Sequence, residues 1–147
     1  MPTPTSDAAA PGTAATVTVL AYSSNAATRE SVKLAIGRRP AADLPRVRIL
    51  ECATDHAVLR ALDAGGVDLC VLDGEAHPSG GIGLCRQLKD EIYQSPPVVV
   101  LVGRVQDNWL AAWSRAEAAV PHPLDPLVLA RVVAELLRTR LAAPLVR

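Results

Sequence analysis

Five short runs rich in β-branched and aliphatic residues recur along the chain: VTVLAY (17–22), VRILEC (47–52), VDLCVL (67–72), VVVLV (98–102) and the weaker AAV (118–120). Their apolar character is nearly continuous rather than alternating. That pattern suits strands buried on both faces, as in a parallel sheet. Segments with helical spacing separate them. NAATRESVKLAIG sets Val32, Ala35 and Ile36 on one side and stops at Gly37, a plausible cap. TDHAVLRALDAGG opens on Thr54 or Asp55 as a cap and ends at paired glycines. GIGLCRQLKDEI, DNWLAAWSRAEA and DPLVLARVVAELLRTRL follow, the last with Asp125 as cap and Pro126 at the first helical position.

The chain therefore reads βαβαβαβαβα over 16–140, one α/β domain with helices on both faces of a parallel sheet. A disordered, Pro-rich arm is expected at 1–15 and a short tail at 141–147. In such sheets ligands gather outside the carboxyl ends of the strands, at the switch in strand order. A 2-1-3-4-5 order puts the first and third strands at that switch. The strand ends deliver Ser23 and Ser24, then Asp73, then Val102 and Gly103, and finally His122.

Composition narrows the function classes. Fifteen basic and fifteen acidic residues cancel, so neither a nucleic-acid footprint nor a basic membrane stripe is expected. No apolar stretch approaches the length of a membrane span, and the start of the chain lacks the charged and apolar regions of a signal peptide. Cys52, Cys70 and Cys85 show no metal or redox spacing and read as buried free thiols of a cytoplasmic protein. His56, His77 and His122 lack ligand spacing and read as solvated.

VDLCVLDGEAHPSGGIGLCRQLK (67–89) resembles the third-strand region of the receiver domains of bacterial two-component response regulators. In that family a phospho-accepting Asp ends the strand, and a Gly eight residues on opens the next helix. Asp73 and Gly81 keep this spacing, while Pro78 falls one position late. PHPLDPLVL resembles the family's Lys-Pro turn, with Pro123 in register. The resemblance covers about 17–137 and implies a flavodoxin-like (βα)5 fold that passes signals by protein contact.

Other positions depart from the family. Its paired acidic residues, which hold Mg²⁺, are matched by Ser23 and Ser24. Its hydroxyl residue on the fourth strand is matched by Val102, its switch aromatic by Ala119 and its Lys by His122. A carboxylate attacking a phosphoryl group is an anion meeting an anion, and Mg²⁺ and a permanent cation supply the neutralising charge. Two neutral serines and an imidazole supply much less. The expectation is an atypical, stand-alone receiver with its phosphorylation switch lost or weakened and no cofactor. The alternative is a working response regulator phosphorylated on Asp73 by a histidine kinase, which alone would call for Mg²⁺.

No further enzyme activity is expected. Ser, Asp73 and His122 invite a hydrolase reading, but no nucleophile elbow or oxyanion loop accompanies them. SGGIG lacks dinucleotide-fingerprint spacing. Ser23 and Ser24 read as turn formers capping the first helix, and Asp73 itself could serve as a capping carboxylate. Only AAPLVR follows the last helix, so no output domain is expected. A protein partner is therefore expected on the face built from the fourth helix, fifth strand and fifth helix, and the resemblance adds the option of a homodimer through the last helix. Trp109 and Trp113 stand one helical turn apart on that face. Trp109 is expected in the core and Trp113 exposed as a binding anchor.

Overall fold

The computed structural model describes residues 16–142. Five strands, β1 (Thr16–Tyr22), β2 (Arg46–Cys52), β3 (Leu69–Asp73), β4 (Val98–Val102) and β5 (Ala118–Pro121), form one sheet in the order β2-β1-β3-β4-β5. Every neighbouring pair is parallel. Helices α1 (Ala26–Ile36), α2 (Asp55–Ala64), α3 (Gly81–Glu91), α4 (Trp109–Ser114) and α5 (Pro126–Ala142) alternate with the strands. The α/β architecture and its strand order are those read from the sequence.

β3 and β4 are buried at every position, which is why their sequences run apolar without alternation. On β1 the side chains divide between two cores. Val17, Val19 and Ala21 pack with Val32 and Ile36 of α1 and with Leu129, Val133 and Leu137 of α5. Leu20 and Tyr22 turn to the other face, against Val58 of α2 and Leu84, Cys85 and Leu88 of α3. Cys52, Cys70 and Cys85 are all buried and free. Burial pushes the Cys70 thiol up to about 12, and it raises Cys52 and Cys85 as well. Such thiols hold their protons and are poor nucleophiles.

Several local expectations need correction. α1 is capped by Asn25, whose side chain accepts from the Ala27 N–H at 2.8 Å, and not by either serine. β3 starts at Leu69 and contains Asp73, which pairs with Leu101 in the ladder. The fourth helix shrinks to six residues after a 3₁₀ turn at Val105–Asp107. No side chain caps its start, and Arg115 ends it in the left-handed conformation (φ 64°). Leu141 and Ala142 belong to α5 rather than to a tail. The remaining tail and the expected arm lie outside the described residues.

Candidate functional site

The carboxyl end of β3 carries Asp73 into a closed pocket, only 2% exposed. The start of α3 is pressed against the backbone behind it. A Cβ on Gly81 would sit 2.7 Å from the Leu72 carbonyl carbon and 2.8 Å from that of Asp73, so only glycine fits the approach.

Both oxygens of Asp73 are engaged. Oδ2 accepts a hydrogen bond from Ser23 Oγ at 2.7 Å. Oδ1 accepts from the Glu75 N–H at 2.9 Å and lies 3.0 Å from His122 Nε2. The Ser23 hydroxyl in turn accepts from the Asn25 N–H at 3.0 Å, so a chain of bonds runs from the mouth of α1 to the carboxylate. His122 was expected to be solvated, but its side chain is 25% exposed and faces Asp73. The His122 N–H also donates to the Val102 carbonyl at 2.8 Å, which ties the end of β5 to β4. The peptide bond from His122 to Pro123 is cis, and Pro123 is exposed.

Ser24 plays a different part. It is exposed, and its Oγ accepts from the His77 N–H at 2.9 Å, joining the loop after β1 to the loop after β3. Val102 is buried in the core and Ala119 is half-buried against it. Gly103 lies under the Glu75 carboxylate, which a Cβ would approach to 3.0 Å. Four neighbours escaped sequence reasoning: Tyr22, Asn25, Arg29 and Glu75. Arg29 donates to the Ser23 carbonyl at 2.7 Å. The Tyr22 hydroxyl donates to the Ser79 carbonyl. Burial first, and then Asp55 and Asp73, raises the pKa of that hydroxyl. Asn25 was legible as a helix-opening Asx residue; the other three carry no motif.

This geometry limits the chemistry. In a hydrolytic triad the serine bonds the imidazole and the carboxylate orients it. Here Asp73 stands between Ser23 and His122 and receives bonds from both. A Mg²⁺ ion prefers an octahedral oxygen shell anchored by carboxylates. The pocket offers one buried carboxylate with both oxygens engaged, a hydroxyl whose proton points at it, and a second hydroxyl occupied by His77, while the exposed Glu75 carboxylate lies aside over Gly103. Among the described residues no group of three His, Cys, Asp or Glu is placed to hold a metal. The donor set does not fit the ion.

On the neighbouring face both tryptophans are exposed, Trp109 by 63% and Trp113 by 47%. The core position expected for Trp109 is wrong, because so short a helix turns inward mainly through Ala111 and the buried Ser114. The Arg86 guanidinium stacks 4.7 Å from the Trp113 ring centroid and donates to its carbonyl at 2.6 Å.

No protein-family model matches the chain. Two curated relatives do, both uncharacterised response regulatory proteins of Mycobacterium tuberculosis, from strains H37Rv and CDC 1551. Each is 54% identical over 128 residues, covering 87% of this chain and 96% of the relative. Among solved structures, the signal receiver domain of an HD domain-containing protein from Pseudomonas fluorescens Pf-5 superposes with a TM-score of 0.71 at 16% identity. That match covers 88% of this chain and all (100%) of the other. A two-component response regulator from Clostridium difficile gives 0.70 at 16% identity over 86% of this chain and 99% of its own. The Francisella response regulator 1452 receiver domain gives 0.70 at 15% over 83% and 97%. Likeness at such low identity establishes the shared fold, and the mycobacterial relatives carry the assignment: the chain belongs to the response regulator family and has the receiver-domain fold of two-component systems.

Proposed function

We propose that this receiver is a cytoplasmic, non-enzymatic signalling module that works through protein contact, with the Mg²⁺-dependent phosphorylation switch lost or severely weakened. The observation that carries this reading is the engagement of both Asp73 oxygens by Ser23, Glu75 and His122. A phosphoryl acceptor must present a free carboxylate oxygen in line with the leaving group while other groups neutralise charge. Here the carboxylate is a structural acceptor joining β1, β3 and β5. Removing one electrostatic partner of a developing charge commonly costs about 3 kcal/mol, roughly a hundredfold in rate. In this chain the acidic pair and the lysine are both replaced. Val102 has no hydroxyl to follow a phosphoryl group and Ala119 no ring to turn. Among the described residues no helix is long and apolar enough to cross a membrane.

Intact-mass spectrometry after incubation with acetyl phosphate and Mg²⁺, alongside Asp73→Asn, tests the reading. The expected spectrum shows no phosphoryl-sized gain in either protein. A stoichiometric gain that vanishes in Asp73→Asn would overturn it and make this a phosphorylated response regulator under a histidine kinase.

Output then rests on the face holding Trp109 and Trp113, with β5 and α5 beside it. Exposed aromatics there are the anchors from which interface energy is commonly drawn. For a partner isolated by cross-linking, Trp109→Ala with Trp113→Ala is expected to weaken binding by about thirtyfold, the effect of losing a typical hot spot of about 2 kcal/mol. Unchanged affinity would move the docking face elsewhere.

A further inference from the structure

The segment GRRPAADLPRVR (37–48) joins α1 to β2 and holds four arginines, Arg38, Arg39, Arg46 and Arg48, all exposed. The strand pair and the loop pair meet at the outer edge of β2, with Arg46 and Arg48 on the face opposite the α1–α5 core into which Val47, Ile49, Ala41 and Leu44 pack. The Val47 N–H donates to the Arg38 carbonyl at 2.7 Å, which lays the loop along the outer side of β2. Arg46 and Arg48, two residues apart on a strand, share one face. Basic side chains elsewhere are mostly paired, such as Arg29 with Glu51 and Lys89 with Glu117. None of these four has a carboxylate within salt-bridge distance among the described residues.

The reason is local. The segment has one acidic residue, Asp43, and Arg138 of α5 takes it with two bonds, at 2.7 and 2.9 Å. Asp68, just before β3, accepts from the Thr18 N–H at 2.9 Å and from Arg140 of α5 at 3.4 Å. α5 therefore draws off the nearby carboxylates and leaves four like charges bare on a protein of zero net charge. Clustered like charges repel one another, and an incoming anion relieves that repulsion.

We infer that this corner is a docking surface for an acidic, extended segment of a partner protein. β2 is an edge strand, and beyond Val47, whose N–H the loop takes, no other backbone bond falls on its outer side at Ile49 or Glu51 among the described residues, so a peptide can hydrogen-bond there, which neither a lipid headgroup nor a nucleic acid does. Alternate residues of an extended peptide recur about every 6.6 Å, matching the spacing of Arg46 and Arg48. The guanidinium fork pairs with carboxylates through two hydrogen bonds. A membrane surface would need exposed apolar residues to insert, and the bulky apolar residue of the loop, Leu44, is buried. The inference does not involve Asp73 and stands apart from the fate of its pocket.

The test is fluorescence anisotropy with a labelled decaglutamate peptide, with a thymidine decanucleotide and phosphatidylglycerol vesicles as competing anions. Binding at low salt is expected to weaken about tenfold or more in Arg46→Gln/Arg48→Gln, and in the loop pair Arg38→Gln/Arg39→Gln should the strand pair fail to fold. Arg60→Gln/Arg131→Gln, which removes equal charge elsewhere, is expected to leave binding unchanged. Equal loss in that control, or no salt-sensitive binding at all, overturns the inference. So does tighter binding of the oligonucleotide or vesicles through the same arginines, which would reassign the surface to nucleic acid or lipid.

Discussion

Replacing Ser23 with Asp is expected to destabilise the fold by about 3 kcal/mol in EDTA and to make its stability depend on Mg²⁺. Ser23 is 1% exposed, and its hydroxyl lies 2.7 Å from Asp73 Oδ2. A carboxylate in its place would put two anions at hydrogen-bond distance in a closed pocket. One must then take up a proton, or the sheet edge must open to water. A divalent cation removes the conflict by supplying charge between the two, and a ligand at a hundred times its dissociation constant restores about 2.7 kcal/mol. Urea unfolding of the native protein, Ser23→Asp and Ser23→Ala, each with and without millimolar Mg²⁺, gives the comparison. The native protein and Ser23→Ala should not respond to the ion, and Ser23→Ala should lose only the value of one hydrogen bond, about 1 kcal/mol. Stabilisation of the native protein by Mg²⁺ would show that its own donors suffice. Full stability of Ser23→Asp in EDTA would show that the pocket hydrates freely.

Gly81→Ala is expected to cost about 3 kcal/mol, against a small gain for Gly83→Ala two residues later on the same helix. At Gly81 the added methyl would meet backbone atoms of Leu72 and Asp73 at 2.7 to 2.8 Å, and backbone cannot rotate away as a side-chain tip can. Either α3 lifts from β3 or the end of β3 shifts, and both loosen the Asp73 pocket. At Gly83 nothing lies within 4 Å of the added methyl, so alanine contributes helix propensity of about 0.5–1 kcal/mol. The urea midpoints of the two variants should move in opposite directions, that of Gly81→Ala falling by roughly 1 to 2 M. Equal midpoints would mean that the helix start yields without penalty.

The sheet was legible because burial on both faces writes itself into sequence as unbroken apolar runs. β3 and β4 are the clearest instances. α4 was not legible in detail. DNWLAAWSRAEA has helical spacing, but nothing in it shows that Arg115 turns left-handed and ends the helix, and that ending leaves Trp109 outside the core. The positions of Ser23, Asp73 and His122 followed from the rule that strand ends converge. Their bonding did not follow, since convergence to one edge does not say which oxygen meets which donor. The arginine corner was hidden by the zero net charge. A balanced total conceals local imbalance until pairings such as Arg138 with Asp43 are known.

The network around Asp73 also says something about the order in which the molecule assembles. Its bonds reach back 50 residues to Ser23 and forward 49 to His122. Closing loops of that length is entropically costly; the Ser23 bond needs β1 and β3 in place, and the His122 bond needs β5 as well. The cross-brace is thus expected to form only once the strands that carry it have paired. Substitutions at Ser23 or His122 are consequently expected to shorten the lifetime of the native state more than they slow its formation, which stopped-flow folding and unfolding rates would check.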